Sequence, residues 1–172
     1  NIVHQEKTKS NHIMKIIIGR DNVLYEAKVL LIAFADSKDI APEKKALIKD
    51  IDATAFVDLF SRTLRVCMDN VRKLLSVYDS ETLPVQEQLE NSLDESTAFE
   101  LDFNVPENMP KSVAESLVTD IHHYAVNSVT GQWLLFQGIN SAFVLEAEEY
   151  RKKIRSNLLK RNRPIRRKFS PI

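Results

Sequence analysis

The clearest pattern along the chain is a row of apolar residues at steps of three and four between residues 52 and 78. An α-helix has about 3.6 residues per turn, so this spacing places the row on one helix face. The row consists of Phe56, Phe60, Leu64, Cys67, Val71, Leu74 and Tyr78. We therefore predict an amphipathic helix over residues 52–78 whose apolar face lies in the core.

Four further segments predict helices, because their apolar residues have helical spacing between recognisable start and stop signals. They cover residues 23–35, 43–50, 111–137 and 142–160. The expected core positions of the first segment are Leu24, Ala27, Leu31 and Phe34. The 111–137 segment has an apolar face wide enough to pack against two neighbours.

Capping residues set the expected helix boundaries. Asp21 or Asn22 can cap the first of these four helices by accepting a hydrogen bond from a free N–H in its first turn. Pro42 suits the first turn of the second helix. Gly138 suits the C-terminal end of the long helix, and Ser141 suits the N-cap of the last one. We therefore expect a tight turn between the last two helices.

Two short segments predict β-strands. Residues 97–105 alternate between apolar and polar types, while residues 14–18 are mostly β-branched and end at Gly19. A lone strand cannot satisfy its backbone polar groups, so 97–105 pairs either with 14–18 or with a strand of a neighbouring subunit. The predicted strand-pairing residues are Phe99, Leu101 and Phe103.

Together these elements predict a mainly α fold, a helical bundle of about four to five helices with a small two-stranded β element. A length of 172 residues suits a single domain. We expect that domain to span residues 14–160, with an acidic linker at 79–96. Residues 1–13 are predicted to be a flexible N-terminal extension, and residues 161–172 a basic C-terminal tail.

The charges are unevenly distributed, although 24 Lys and Arg balance 24 Asp and Glu. Residues 79–107 contain nine acids and no Lys or Arg, whereas residues 151–168 contain ten Lys or Arg and no acid. Such a basic stretch is either a solvated helix face with a disordered end, or a surface that binds an acidic protein or a nucleic acid. The candidate binding residues are Lys160, Arg161, Arg163, Arg166, Arg167 and Lys168.

The sequence has no recognisable catalytic, cofactor or metal motif. It lacks a Gly-x-Ser-x-Gly elbow and a glycine-rich phosphate loop. His122 and His123 are adjacent, so on a helix they point about 100° apart and cannot share one metal ion. Cys67 is the single cysteine and is expected to be a buried, reduced thiol. No apolar run approaches the roughly 20 residues that span a bilayer, so no membrane partner is expected.

The second half of the chain resembles a group of small proteins encoded in Bacteroidetes phages and prophages, some of them near genes for head–tail joining. The resemblance lies in the order of five features. These are an amphipathic helix (56–78), a linker, a Phe-Glu-Leu-Asp-Phe strand (99–103), a long helix with a Trp near its end (113–133), and a Tyr-containing helix (150–160) that finishes in an Arg-x-Arg-Pro-x-Arg-Arg motif (161–167).

The resemblance implies a virion structural protein, a head–tail connector or neck subunit that assembles in the host cytoplasm. Such a subunit would form a homo-oligomer, as in a ring, and would contact portal, neck or tail proteins. The basic tail would then reach a neighbouring ring protein or line a DNA passage. The alternative hypothesis is a nonspecific nucleic-acid-binding module that acts through the same basic tail.

Overall fold

The computed structural model of the chain describes residues 12–76, 98–105 and 109–159. In chain order its elements are β1 (His12–Gly19), α1 (Arg20–Ser37), α2 (Pro42–Lys49), a 3₁₀ turn (Thr54–Phe56), α3 (Val57–Ser76), β2 (Ala98–Val105), α4 (Lys111–Phe136) and α5 (Phe143–Leu159). Within these ranges the fold is mainly α, with five α-helices and a two-stranded antiparallel sheet. The predicted fold class is confirmed.

The small sheet joins two segments that lie far apart in the chain. β1 and β2 run antiparallel, and Ile16 stands opposite Leu101 in the register. The neighbouring pairs on the same face are Met14 with Phe103 and Ile18 with Phe99. Of the two pairings that the sequence left open, the structure therefore has the one within this chain. Ile16, Ile18, Leu101 and Phe103 are buried, so this face of the sheet belongs to the core.

The core is built around α4, which contacts α1, α3 and α5. α3 contributes Phe60, Leu64, Cys67, Val71 and Leu74, as its spacing predicts, together with Met68 and Leu75. α1 contributes a row at every fourth position, Val23, Ala27, Leu31 and Ala35. The other two expected core residues of α1, Leu24 and Phe34, are only partly buried against this cluster. Tyr78 lies outside the described residues.

Two predicted caps are wrong. α1 begins at Arg20 with Gly19 as its N-cap and no side-chain cap bond, because the chain passes directly from β1 into the helix. Asp21 and Asn22 consequently lie inside its first turn. Ser141 does not cap α5, since that helix begins at Phe143 and the Ser141 Oγ has no hydrogen-bond partner among the described residues.

Gly138 ends α4 as its position predicts. Its φ angle is 73°, a left-handed conformation that glycine adopts without steric cost. The Gly138 N–H donates to the Leu135 carbonyl at 2.9 Å, and the Ile139 N–H donates to the Leu134 carbonyl at 2.8 Å. This pair of bonds is the Schellman motif, and it satisfies carbonyl groups that the helix end leaves free.

α3 begins five residues later than predicted, at Val57 instead of residue 52. The segment before it is held by tertiary contacts. Ile51 is buried, and the Asp52 carboxylate accepts a hydrogen bond from the Lys28 ammonium of α1 at 2.5 Å. These contacts fix the connection between α2 and α3 as turns, so the helix does not extend backwards through it. Among the helices in the described ranges, none has both the length and the apolar character needed to cross a membrane.

Candidate protein-interaction surface

α1 carries apolar side chains on two opposite faces. Its buried row packs into the core, and a second row faces solvent. In that second row Tyr25 is 70% exposed, Val29 is 46% exposed and Ile32 is 37% exposed. Their spacing of four and three residues places them close together on one helix face. We call these three residues the outer stripe.

The outer stripe is unusual for a helix at the surface. A surface helix normally has one apolar face toward the core and a polar face toward water, whereas a helix that is apolar all round is normally buried. α4 follows this rule, because it is apolar around most of its circumference and lies at the centre of the fold. Scattered exposed apolar residues need no explanation, but a contiguous apolar patch indicates an interaction site.

One border of the outer stripe is charged and already paired. The Lys28 ammonium lies 2.5 Å from the Asp52 carboxylate, and the Lys49 ammonium lies 2.6 Å from the Asp36 carboxylate. The hydrogen bond from Lys28 lowers the pKa of Asp52 below its ordinary value. These pairs tie α1 to α2 and to the turn that follows α2. A partner on the outer stripe would therefore meet neutralised pairs on this side.

The other border is formed by α4 and α5. The His122 Nε2 atom lies 3.0 Å from the Glu26 Oε1 atom, which joins α1 to α4. Toward the C-terminal end of α1, an open groove of about 490 Å³ separates this helix from the turn into α5. The residues of α1 that line the groove include Leu30, Ala33 and Phe34. Ala33 lies one helical turn after Val29, so this edge of the groove borders the outer stripe, whereas Leu30 and Phe34 lie farther around the helix.

Cys67 lies buried where α3 meets α4, as its position in the apolar row predicts. Burial raises the pKa of its thiol to about 12, while hydrogen bonds with the Ser128 and Tyr124 side chains act in the opposite direction. Burial also raises the pKa of Tyr124. Since the thiolate is the reactive form of cysteine, this thiol is protonated and inert at neutral pH.

The two histidines serve helix packing. Both are partly buried: His122 contacts Glu26, and the His123 ring lies 5.2 Å from the Tyr150 ring of α5. Within the described ranges, no group of three or more His, Cys, Asp or Glu residues is arranged to hold a metal ion.

The predicted basic binding residues, Lys160, Arg161, Arg163, Arg166, Arg167 and Lys168, lie outside the described residues. The part of the basic stretch that belongs to α5 is partly neutralised. Arg151 pairs with Glu148 at 3.3 Å, and Lys152 pairs with Glu149 at 2.7 Å. The predicted strand-pairing residues, Phe99, Leu101 and Phe103, all lie in β2. In the register they stand opposite Ile18, Ile16 and Met14 of β1.

The outer stripe is the feature that our sequence analysis missed. The predicted core row of α1 accounts for one face of the helix, and the outer stripe is a second row on the opposite face. The sequence signal for this second row was the spacing of Tyr25, Val29 and Ile32.

Comparisons of the chain with protein-family models, with curated proteins and with solved structures gave no match. The geometry of this surface is therefore the main basis for a functional hypothesis.

Proposed function

We propose that this chain is a structural or assembly subunit of a phage or prophage particle, of the head–tail connector or neck class. The observation that carries the assembly role is the outer stripe, which leaves Tyr25, Val29 and Ile32 open to solvent while the opposite face of α1 lies in the core. The assignment to a phage particle rests on the resemblance in the order of elements. In this proposal the outer stripe binds another polypeptide.

The energetics support a protein partner. Fully burying an exposed apolar side chain such as Val or Ile stabilises a contact by about 1.5–3 kcal/mol relative to leaving it exposed. Val29 and Ile32 are already more than half buried, so covering the stripe gains only part of this amount per residue, and that gain offsets part of the entropy that association costs. Because they stand on one rigid helix, little further ordering is needed when a partner binds.

Buried polar groups join the helices behind the outer stripe to each other and make that framework rigid. The Trp133 indole N–H donates to the Ile48 carbonyl at 2.8 Å, which links α4 to α2. The Asn157 amide donates to the buried Asp120 carboxylate at 2.7 Å, which links α5 to α4. Each of these bonds satisfies a polar group that would be costly to bury alone.

The test is to locate the protein in particles. Particles would be purified from the host that carries the gene, and their subunits quantified by mass spectrometry. We expect this chain in tailed particles at a fixed ratio to the portal subunit. An allele with Val29→Glu should yield heads without tails, because a buried carboxylate would disrupt the contact.

The matched control is Val66→Glu, which changes an exposed valine on the outer face of α3. We expect this allele to give normal particles. The proposal would be rejected if the protein were absent from particles and from assembly intermediates, and if a deletion allele produced normal tailed particles.

A further inference from the structure

We draw no further inference here: the strongest candidate, the exposed apolar face of α1 formed by Tyr25, Val29 and Ile32, belongs to the site already described, and nothing in the described part of the chain shows what covers it.

Discussion

α1 and α3 are helices of similar length, 18 and 20 residues, and both lie against α4, yet their outer faces differ. The outer face of α3 is mostly charged, with Arg62, Arg65 and Arg72 exposed and Val66 as the single large apolar residue. The outer face of α1 carries the outer stripe. The apolar inner faces of both helices suit the core. The charged outer face of α3 suits contact with water, whereas the apolar outer face of α1 does not. The exposed apolar face of α1 is the observation on which the proposed function rests.

The inner faces also differ, in chemistry rather than in burial. The inner row of α1 is wholly apolar. The inner face of α3 includes Cys67, and Asn70 of the same helix hydrogen-bonds with Tyr124 of α4. Groups that titrate at alkaline pH thus lie where α3 meets α4. We therefore expect alkaline pH to weaken the contact of α3 with α4 more than that of α1 with α4. Large-to-small core substitutions in either helix should lower the free energy of unfolding by similar amounts.

The largest expected effect tests whether both inner faces belong to one cooperative core. Leu31 of α1 and Leu64 of α3 are both fully buried. Replacing either by Ala leaves a cavity, and each substitution should lower the free energy of unfolding by about 2–5 kcal/mol in urea titrations. Leu47→Ala, at an exposed position of α2, is the control and should cost far less. If Leu31→Ala had no effect, α1 would not share the core of α3.

An intermediate effect is expected from alkaline pH. Burial raises the pKa of Cys67 from its ordinary 9.0 to about 12. The folded state thus retains a proton that the unfolded state releases, so this contribution to stability is fully present below pH 9.0 and is lost as pH rises toward 12. By about pH 10.5 the loss should be about 2 kcal/mol.

Urea titrations at about pH 8 and about pH 10.5 would measure this loss in the wild type and in Cys67→Ala. The variant lacks the thiol, so its own loss should be smaller by the stated amount. Tyr124, whose pKa is raised as well, remains in both proteins and adds an alkaline loss to each. An equal alkaline loss in the two proteins would show that the thiol is not its source.

The smallest effect concerns α5, the third helix that packs against α4. The two helices approach each other closely at Gly131 of α4. A methyl group at Gly131 would lie 2.9 Å from the Val144 Cγ2 atom and 3.1 Å from the Val144 backbone nitrogen. Ala favours a helix over Gly by about 1 kcal/mol, but overpacking costs about 1–3 kcal/mol. Because the backbone of α5 cannot yield as a side chain does, we expect Gly131→Ala to lower stability by a net amount of about 1 kcal/mol.

A double-mutant cycle with Val144→Ala sharpens this prediction. Removing the Val144 methyl groups relieves the shorter contact but not the backbone contact. Gly131→Ala should therefore cost less in the Val144→Ala background than in the wild type, and the coupling should be measurable by urea unfolding. Equal costs in both backgrounds would mean that the side-chain contact does not limit the approach of α5 to α4.

Much of the secondary structure could be predicted from periodicity. The apolar row of α3 and the alternation around Leu101 indicate a helix and a strand, because these spacings match the geometry of each element. The first residues of α1 and α5 were harder to predict. Capping depends on how the preceding segment approaches the helix, and the direct passage from β1 into α1 is a property of the packed sheet.

The candidate site was less predictable than the fold. Its borders are contacts between residues distant in sequence, such as Glu26 with His122 and Lys28 with Asp52. A local pattern carries no information about which distant side chain will stand beside a given helix face. The spacing of the outer stripe was available, but its exposure was not, because exposure depends on what the other helices leave uncovered.

The sequence by itself determined that the chain folds mainly as α-helices with one pair of strands, because the 3.6- and 2-residue periods of its apolar residues are local properties of the backbone. It also determined that α1 carries apolar residues on two faces. Only the tertiary structure decided that one of these faces is buried against α4 while Tyr25, Val29 and Ile32 stay exposed. The physical reason is that a helix at the edge of a core turns one face toward the other helices, and which face that is depends on how those helices pack.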